Sequence, residues 1–529
     1  MMINIKNNFM RRAGRLACLT MAGLMTAGVI SSCTGNFEEY NTNPFGPTPE
    51  DMLGDNAITN SLIKSMMPVL AQGQQNNSQM IDQMIGSEYG GEIANIAQWG
   101  NSGNFYTYNP RINWIQVPFN TIMPQIYTGF FQMKKATEGE GISYRWAQLL
   151  RIFGTLRLSD MYGPLPYSQV TGAEFTVAYD DMSDLYKAMF ADLDIIIEEL
   201  TTVALSGEDM SSLSSSDFVF GGDFTKWVKF ANTLKLRMAM RISKADPTLA
   251  QQKAEEAVAH SIGVMTSAAD AAWYSDNDGM NPYYRVAYAW GEIRVSANVT
   301  SYMSGYNDPR LAAYAEPSQL NGERIGVRNG IYQSAGSQST YATYSRPQLS
   351  EGDKLLVMSA SEAYFLRAEG ALKGWNMNGT AKNLYESGVT VSMEERGAAI
   401  GSYLQSNNQP ADYVDPTDSS KNHAAMSTVT PAYDENASND ENLERILVQK
   451  WLANFPNGWE TWADIRRTGY PKHFPVVNNL NTDGVNSQRG MRRLPFPQSE
   501  YNTNAANVKA AAAMLGGADT GATDLWWAK

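Results

Sequence analysis

Two stretches of the sequence, residues 86–113 and 270–350, combine aromatic rings with amide and guanidinium groups in Gly- and Asn-rich surroundings. A pyranose has an apolar face of C–H groups, which stacks on indole or phenol rings, and a rim of hydroxyls, which needs polar partners. These residue types therefore predict a carbohydrate-binding surface, although each aromatic taken singly could equally pack in a core. The candidate ligand-binding residues are Trp99, Asn101, Asn104, Tyr106, Trp273, Tyr283, Tyr284, Arg285 and Trp290.

Residues suited to catalysis are scarce. The three histidines, His260, His423 and His473, are far apart in the sequence. There is no HExxH or GxSxG motif, no phosphate-binding glycine loop and no cysteine and histidine spacing for a metal. A carboxylate pair for glycoside cleavage remains an open alternative, because the 54 acidic residues offer many pairs whose separation only a structure shows. We expect a binding protein with no catalytic residue and no cofactor.

One acidic cluster has the residue types of a calcium site. Residues 276–279, Asp-Asn-Asp-Gly, place oxygen ligands before a glycine. The glycine comes too early for an EF-hand loop, and no glutamate stands at the twelfth position. A turn formed by Asx residues and glycine explains the cluster, so no metal site is predicted.

The N-terminus has the three zones of a secretory signal peptide over residues 1–32. Lys6, Arg11, Arg12 and Arg15 precede an apolar run from residue 16 to 30, and two serines follow. The run is shorter than the roughly 20 residues that cross a bilayer. Small residues followed by Cys33 resemble a lipobox, so we predict that the Cys33 thiol is acylated and anchors the mature protein to a membrane.

The mature chain is acidic and has few cysteines. Removal of residues 1–32 takes away four of 41 basic residues and none of 54 acidic ones, so the net charge falls from −13 to about −17. An acidic chain without a basic aromatic patch is not expected to bind nucleic acid. We predict a lipidated linker over residues 33–50 and a single body over residues 51–529, with no clear interdomain linker.

Helical periodicity dominates that body, and the predicted fold class is mainly α. In residues 184–200, for example, Leu185, Met189, Leu193 and Ile196 share one face, opposite acidic residues. Consecutive helices joined by short turns suggest tetratricopeptide-like pairs, although no sequence period proves them. The predicted helices are 144–158, 184–200, 224–242, 248–261, 357–372, 381–396 and 443–453.

Residues 449–471 form the most distinctive stretch. Trp451 and Phe455 precede Pro456 and Gly458, and the apolar spacing restarts at Trp459 and continues through Trp462 and Ile465. This pattern predicts a helix, a tight turn and a second helix that ends at Gly469. Three tryptophans at helical spacing predict core rather than ligand contact.

Several motifs, taken in order, make the chain resemble the SusD/RagB family of outer-membrane lipoproteins. They are the start CTGNFEEYNTNPFG from Cys33, SDMYGPLPYSQ from Ser159, FTKWVKFANTLKLRMAMRIS from Phe224, EAYFLRAEGALKGW from Glu362, the stretch around Trp459, and RRLPFPQSEYNTN from Arg492.

The resemblance implies a helical scaffold of tetratricopeptide-like pairs with variable, loop-rich segments, here about 86–113 and 270–350, that receive ligand. It implies a cell-surface, lipid-anchored outer-membrane protein that captures oligosaccharide and delivers it to a SusC-like TonB-dependent transporter without cleaving it. Three alternatives remain open: uptake of peptides, as in the RagB branch, an unrecognised surface glycoside hydrolase, or a structural partner whose function lies in the transporter contact alone. By the same resemblance, Cys33 is the lipid site and Trp99 belongs to an aromatic wall.

The lipidation site leads to a direct test. Because the acyl chains would supply the membrane affinity, Cys33→Ala should move the protein from the membrane fraction to the soluble fraction after cell lysis. Ser32→Ala, which keeps a small residue before the cysteine, should leave the protein in the membrane fraction. Equal membrane retention of both variants would contradict lipidation at Cys33.

Overall fold

The computed structural model describes residues 56–97, 103–275, 279–331 and 338–529. By its contacts the chain divides into two units, Met1–Ile58 and Thr59–Lys529. The fold described below is that of the second unit. The predicted signal peptide, Cys33 and the predicted linker lie outside the described residues, as do Trp99, Asn101 and residues 276–278.

Helices carry most of the fold. The α-helices are α1 Ala57–Met66, α2 Gln75–Ser78, α3 Ile112–Ile115, α4 Val117–Ala136, α5 Gly141–Tyr162, α6 Met182–Ser206, α7 Ser211–Ser214, α8 Phe224–Arg241, α9 Pro247–Ala259, α10 Pro282–Tyr284, α11 Ala297–Tyr306, α12 Leu311–Tyr314, α13 Gln338–Tyr341, α14 Ala360–Leu372, α15 Ala381–Glu395, α16 Asn439–Asn454, α17 Trp459–Thr468, α18 Gln498–Thr503 and α19 Ala505–Met514.

Other elements are short. Two segments are π-helical, Gln79–Ser87 and Arg285–Ala289. The 3-10 turns are Met67–Val69, Ala268–Asp270, Tyr403–Gln405, Ser419–Lys421 and Trp526–Ala528. The strands are β1 Ile93–Asn95, β2 Ala272–Tyr274, β3 Ile293–Val295 and β4 Leu355–Met358.

Local sequence signals explain where the long helices begin and end. The Asp223 side chain accepts a hydrogen bond from the Lys226 N–H at the start of α8, and Ser438 caps α16 in the same way. At the end of α17, Gly469 has φ of 86°, a left-handed conformation that glycine adopts without cost, and its N–H donates to the Ile465 carbonyl.

The long helices pack as hairpins around a core rich in tryptophan. Helices α4 and α5 are joined by a short turn and contact each other along their lengths, as do α8 with α9 and α14 with α15. The indoles of Trp146, Trp227, Trp451, Trp462 and Trp527 are among the largest fully buried side chains. The predicted core role of Trp451 and Trp462 is therefore confirmed.

The predicted helices all occur, with small differences at their ends. The prediction that a helix starts at residue 357 is wrong, because residues 355–358 form β4 and α14 starts at Ala360. The run Leu355–Met358 is apolar without interruption, and such a short run does not distinguish a strand from a buried helix. Residues 449–471 form the expected helix, turn and helix in α16 and α17.

Two antiparallel strand pairs join segments that are distant in the sequence. Strand β1 pairs with β3, with Ile93 opposite Val295 and Asn95 opposite Ile293. Strand β2 pairs with β4, with Trp273 opposite Leu356. None of these strands is predicted, because each is only three or four residues long. Among the described residues, no helix has the length and apolar character to cross a membrane.

A close backbone approach holds α17 against the π-helix Gln79–Ser87. A Cβ on Gly458 would lie 2.4 Å from the Gly86 carbonyl oxygen, and a Cβ on Gly86 would lie 2.9 Å from the Trp459 ring. Only hydrogen fits at either position without movement of the neighbouring segment.

This approach predicts that Gly458→Ala lowers the free energy of unfolding by about 1–3 kcal/mol, the usual cost of overpacking. Thermal and urea unfolding would measure the change. Gly352→Ala is the matched control, since a Cβ there meets no atom within 4 Å. Equal unfolding curves for the two variants would show that the glycine contact is not constrained.

Candidate ligand-binding site

The strand pair β1–β3 brings the two predicted binding segments together. The Ile96 N–H donates to the Glu292 carbonyl at 2.7 Å, and the Ser296 N–H donates to the Glu92 carbonyl at 3.0 Å. Trp290 lies three residues before β3. Strand β1 ends two residues before Ala97, the last residue described in this part of the first segment. This strand is bonded directly to the second segment.

Within the first segment, Asn104 and Tyr106 are buried and hold the base of the loop. The Asn104 carboxamide oxygen accepts hydrogen bonds from the N–H and the hydroxyl of Thr107 at 3.0 and 2.8 Å. Tyr106 is 1% exposed, and its hydroxyl donates to the Ala97 carbonyl at 3.0 Å. Both side chains are therefore engaged in hydrogen bonds to other residues of the first segment. Trp99 and Asn101, from the same segment, lie outside the described residues.

The second segment carries two partly exposed aromatic rings and one exposed ring. The rings of Tyr284 and Tyr288 are stacked, with centroids 4.5 Å apart and planes 16° from parallel. Trp290 follows and is 39% exposed, a high value for an indole. We call Tyr284, Tyr288 and Trp290 the aromatic face.

A π-helical segment and two arginines surround the aromatic face. The Trp290 N–H donates to the Arg285 carbonyl at 3.0 Å, and this five-residue bond is the π-helical geometry that often occurs at functional sites. The Arg346 guanidinium lies 5.1 Å from the Tyr288 ring, and the Tyr288 hydroxyl donates to the Pro347 carbonyl at 2.9 Å. Arg285 is half-buried, and its Nε has no acceptor within the described part of the chain.

Trp273 and Tyr283 line a cavity of about 400 Å³ instead. The Arg396 guanidinium lies 5.3 Å from the Trp273 ring. The Tyr283 hydroxyl donates to the Pro456 carbonyl at 3.1 Å and lies 2.9 Å from Ser87 Oγ. The predicted site residues that the structure describes thus lie in three places. Asn104 and Tyr106 are buried in the first segment, and Trp273 and Tyr283 line the cavity. Tyr284, Arg285 and Trp290 belong to the segment of the aromatic face.

Two residues of these surfaces were not predicted from the sequence. Trp459 is 8% exposed, as expected of core, but it also forms part of the cavity wall. Arg346 lies 58 residues after Tyr288, and no sequence signal connects them. In residues 56–97, 103–275, 279–331 and 338–529, no group of three or more His, Cys, Asp or Glu side chains is placed to hold a metal ion.

Comparison with known proteins identifies the family. Residues 39–528 match the SusD-like family, described as Susd and RagB outer membrane lipoprotein. The chain belongs to the SusD/RagB family. It is thus an outer-membrane lipoprotein of a family that binds ligand and does not catalyse a reaction, as the sequence motifs predicted. No curated protein matches the chain in sequence.

Solved structures of the SusD/RagB family share the fold. A SusD-like protein from Bacteroides thetaiotaomicron is 41% identical, with 89% of this chain and 98% of that chain covered and a TM-score of 0.85. A chitin-binding SusD homolog from Flavobacterium johnsoniae is 36% identical, with 89% and 98% covered and a TM-score of 0.84. A SusD homolog from Bacteroides uniformis is 37% identical, with 89% and 99% covered and a TM-score of 0.84. The mainly α, tetratricopeptide-like fold is confirmed.

A half-buried histidine, with its Nε2 enclosed, packs against the turn that leads into β1. The His473 ring packs beside Trp451, with centroids 4.8 Å apart, and next to Gly91, whose φ is 65°. Its Nε2 has no hydrogen-bond partner within the described ranges. Burial lowers the pKa of His473 to about 3, so the ring is neutral in the folded protein at neutral pH.

This burial predicts an acid-dependent loss of stability. Between about pH 6.5 and 3 the unfolded chain binds a proton at His473 that the folded chain does not. The free energy of unfolding should therefore fall by about 1.4 kcal/mol for each unit by which the pH is lowered in this range, from this group alone. His473→Phe should remove that contribution and flatten the curve. Urea unfolding at a series of pH values would measure the slope, and parallel curves for the variant and the wild type would contradict the assignment.

Proposed function

We propose that the protein captures a glycan on the aromatic face at the cell surface and delivers it to a SusC-like TonB-dependent transporter. The observation that carries this proposal is the exposed Trp290, two residues after the stacked pair Tyr284 and Tyr288, on a segment paired through β1–β3 with the strand that precedes Trp99 in the sequence. An exposed indole near partly exposed, stacked rings offers apolar surface of the kind that the C–H face of a pyranose needs.

Polar groups beside the rings complete the proposed site. Arg285 and Arg346 can donate hydrogen bonds to sugar hydroxyls, and guanidinium groups do this with fixed planar geometry. Asn101 and Trp99 would add an amide and a second indole from the neighbouring loop. The chitin-binding homolog, 36% identical over most of its length, supports a glycan as the ligand class.

The anchor and the partner follow from the same family membership. A lipid on Cys33 would keep the binding body at the outer membrane, and a binding protein without catalytic residues needs a transporter to use what it captures.

The site is tested by titration of the protein without its anchor, residues 34–529, with a panel of soluble polysaccharides and peptides. Trp290→Ala should weaken binding of the positive glycan at least about fivefold, since a lost stacking contact costs about 1 kcal/mol or more. Its melting temperature should stay within error of the wild type, because the side chain is partly solvated.

Phe175→Ala is the matched control, since Phe175 is a fully exposed aromatic on a loop held at Val177 by the Asn504 side chain. It should bind like the wild type. Unchanged affinity of Trp290→Ala would remove the aromatic face from the site. Binding of peptides with no binding of any glycan would replace the glycan with a peptide ligand.

A further inference from the structure

The cavity of about 400 Å³ lies between the β2–β4 strand pair and the helical core. Its size is within the range of about 300–1,000 Å³ that is usual for small-molecule sites. Tyr283 lines it, whereas Tyr284 stacks on Tyr288 outside it. Helix α10 therefore contributes neighbouring side chains to two different surfaces, and the cavity is separate from the aromatic face.

Solvent reaches the cavity through an open mouth. Ala313, Gln348, Asp353 and Lys354 all line the cavity and are all exposed. Lys354 forms no ion pair with any residue that the structure describes. The cavity is therefore open to solvent along this rim.

Aromatic side chains form much of the wall. Trp273 from β2, Tyr283 from α10, and Phe455 and Trp459 from either side of the turn between α16 and α17 all line the cavity. Indole and phenyl faces attract C–H groups that carry partial positive charge. The wall therefore suits a ligand with apolar ring faces, such as a sugar ring.

The floor carries charges that already have partners. Arg157 bonds Asp82, Arg237 forms two bonds to Glu362 at 2.7 and 2.9 Å, and Arg241 bonds Asp160 at 3.0 Å. An ionic ligand would have to compete with these buried pairs, and breaking a buried pair costs several kcal/mol. A neutral ligand avoids that cost.

Polar side chains at the mouth can meet the hydroxyls of a ligand. Gln348 and Asp353 line the cavity and are exposed. An amide can donate and accept hydrogen bonds, and a carboxylate accepts them. These two side chains can therefore bond hydroxyls at the rim of a sugar ring.

We propose that this cavity is an inner pocket for one or two neutral sugar rings, distinct from the aromatic face. The aromatic wall takes the C–H faces, the paired charges of the floor disfavour an anionic ring there, and Gln348 and Asp353 at the mouth bond hydroxyls. The choice of a sugar rests on the proposed function, whereas the neutral, ring-sized character of the ligand rests on the cavity itself.

The test blocks the mouth without altering the core. Ala312 and Ala313 are consecutive exposed residues on α12, but only Ala313 lines the cavity. Ala313→Trp places an indole in the mouth, and Ala312→Trp places the same side chain on the neighbouring surface. Titration calorimetry with cellobiose, maltose and diacetylchitobiose, and with glucuronic acid as the anionic probe, measures binding to each variant and to the wild type.

The proposal predicts that at least one neutral disaccharide binds the wild type and Ala312→Trp equally and binds Ala313→Trp at least tenfold more weakly. Glucuronic acid should not bind. The inference is overturned if no disaccharide binds the wild type, if both tryptophan variants bind alike, or if the acidic sugar binds best.

A second measurement separates this inference from the proposed function. A long soluble glycan exceeds a cavity of this size, so most of its contacts should lie outside and its binding should depend more on Trp290 than on Ala313. Disaccharide binding that Trp290→Ala abolishes and Ala313→Trp leaves intact would overturn the inner pocket and keep the aromatic face. Disaccharide binding lost only in Ala313→Trp, with Trp290→Ala normal for every glycan, would keep the inner pocket and remove the aromatic face.

Discussion

A buried network of charges at Glu460 is the constraint on which the rest of the fold depends. Burial alone would raise the pKa of this carboxyl, but the charges of Arg237, Arg241 and Lys450 hold it below its usual range, so it is ionised inside the core. Desolvation of ions costs several kcal/mol each, and the cost is offset only when every partner is in place. Ion pairs connected through this network join α5, α8, α14, α16 and α17 through Asp160, Arg237, Arg241, Glu362, Glu369, Lys450, Glu460, Asp464 and Arg467.

The network positions the ligand-binding surfaces indirectly, through segments that pack against it. It fixes the start of α17, where Gly458 and Trp459 pack on the π-helix Gln79–Ser87. That π-helix leads to β1, and β1 is bonded to β3 just beyond Trp290. The same side of the network forms the cavity floor at Arg237 and Glu460. The buried ion pairs and the exposed loops are thus connected in one structure. The ion pairs constrain the scaffold, whereas the exposed residues proposed to contact ligand take no part in the network.

The sequence predicted the scaffold well because its signals are local. Apolar residues at helical spacing, an aspartate or serine before a helix and Gly469 after α17 each act within a few residues. The ligand-binding surfaces depend on contacts that are remote in sequence. The β1–β3 pair joins segments about 200 residues apart, and no periodicity in three-residue strands reveals it. Likewise, the sequence gives no sign that Tyr283 turns into the cavity while Tyr284 stacks outside, or that a core tryptophan such as Trp459 also lines the cavity.

The central claim is that the aromatic face receives a glycan. The most direct measurement is a crystal structure of residues 34–529 with a bound chitin oligosaccharide, chosen because a homolog 36% identical to this chain binds chitin. The account predicts sugar rings stacked on Trp290 or on the Tyr284 and Tyr288 pair, with hydroxyls near Arg285 or Arg346. An oligosaccharide bound only at a surface that includes none of these residues would contradict it.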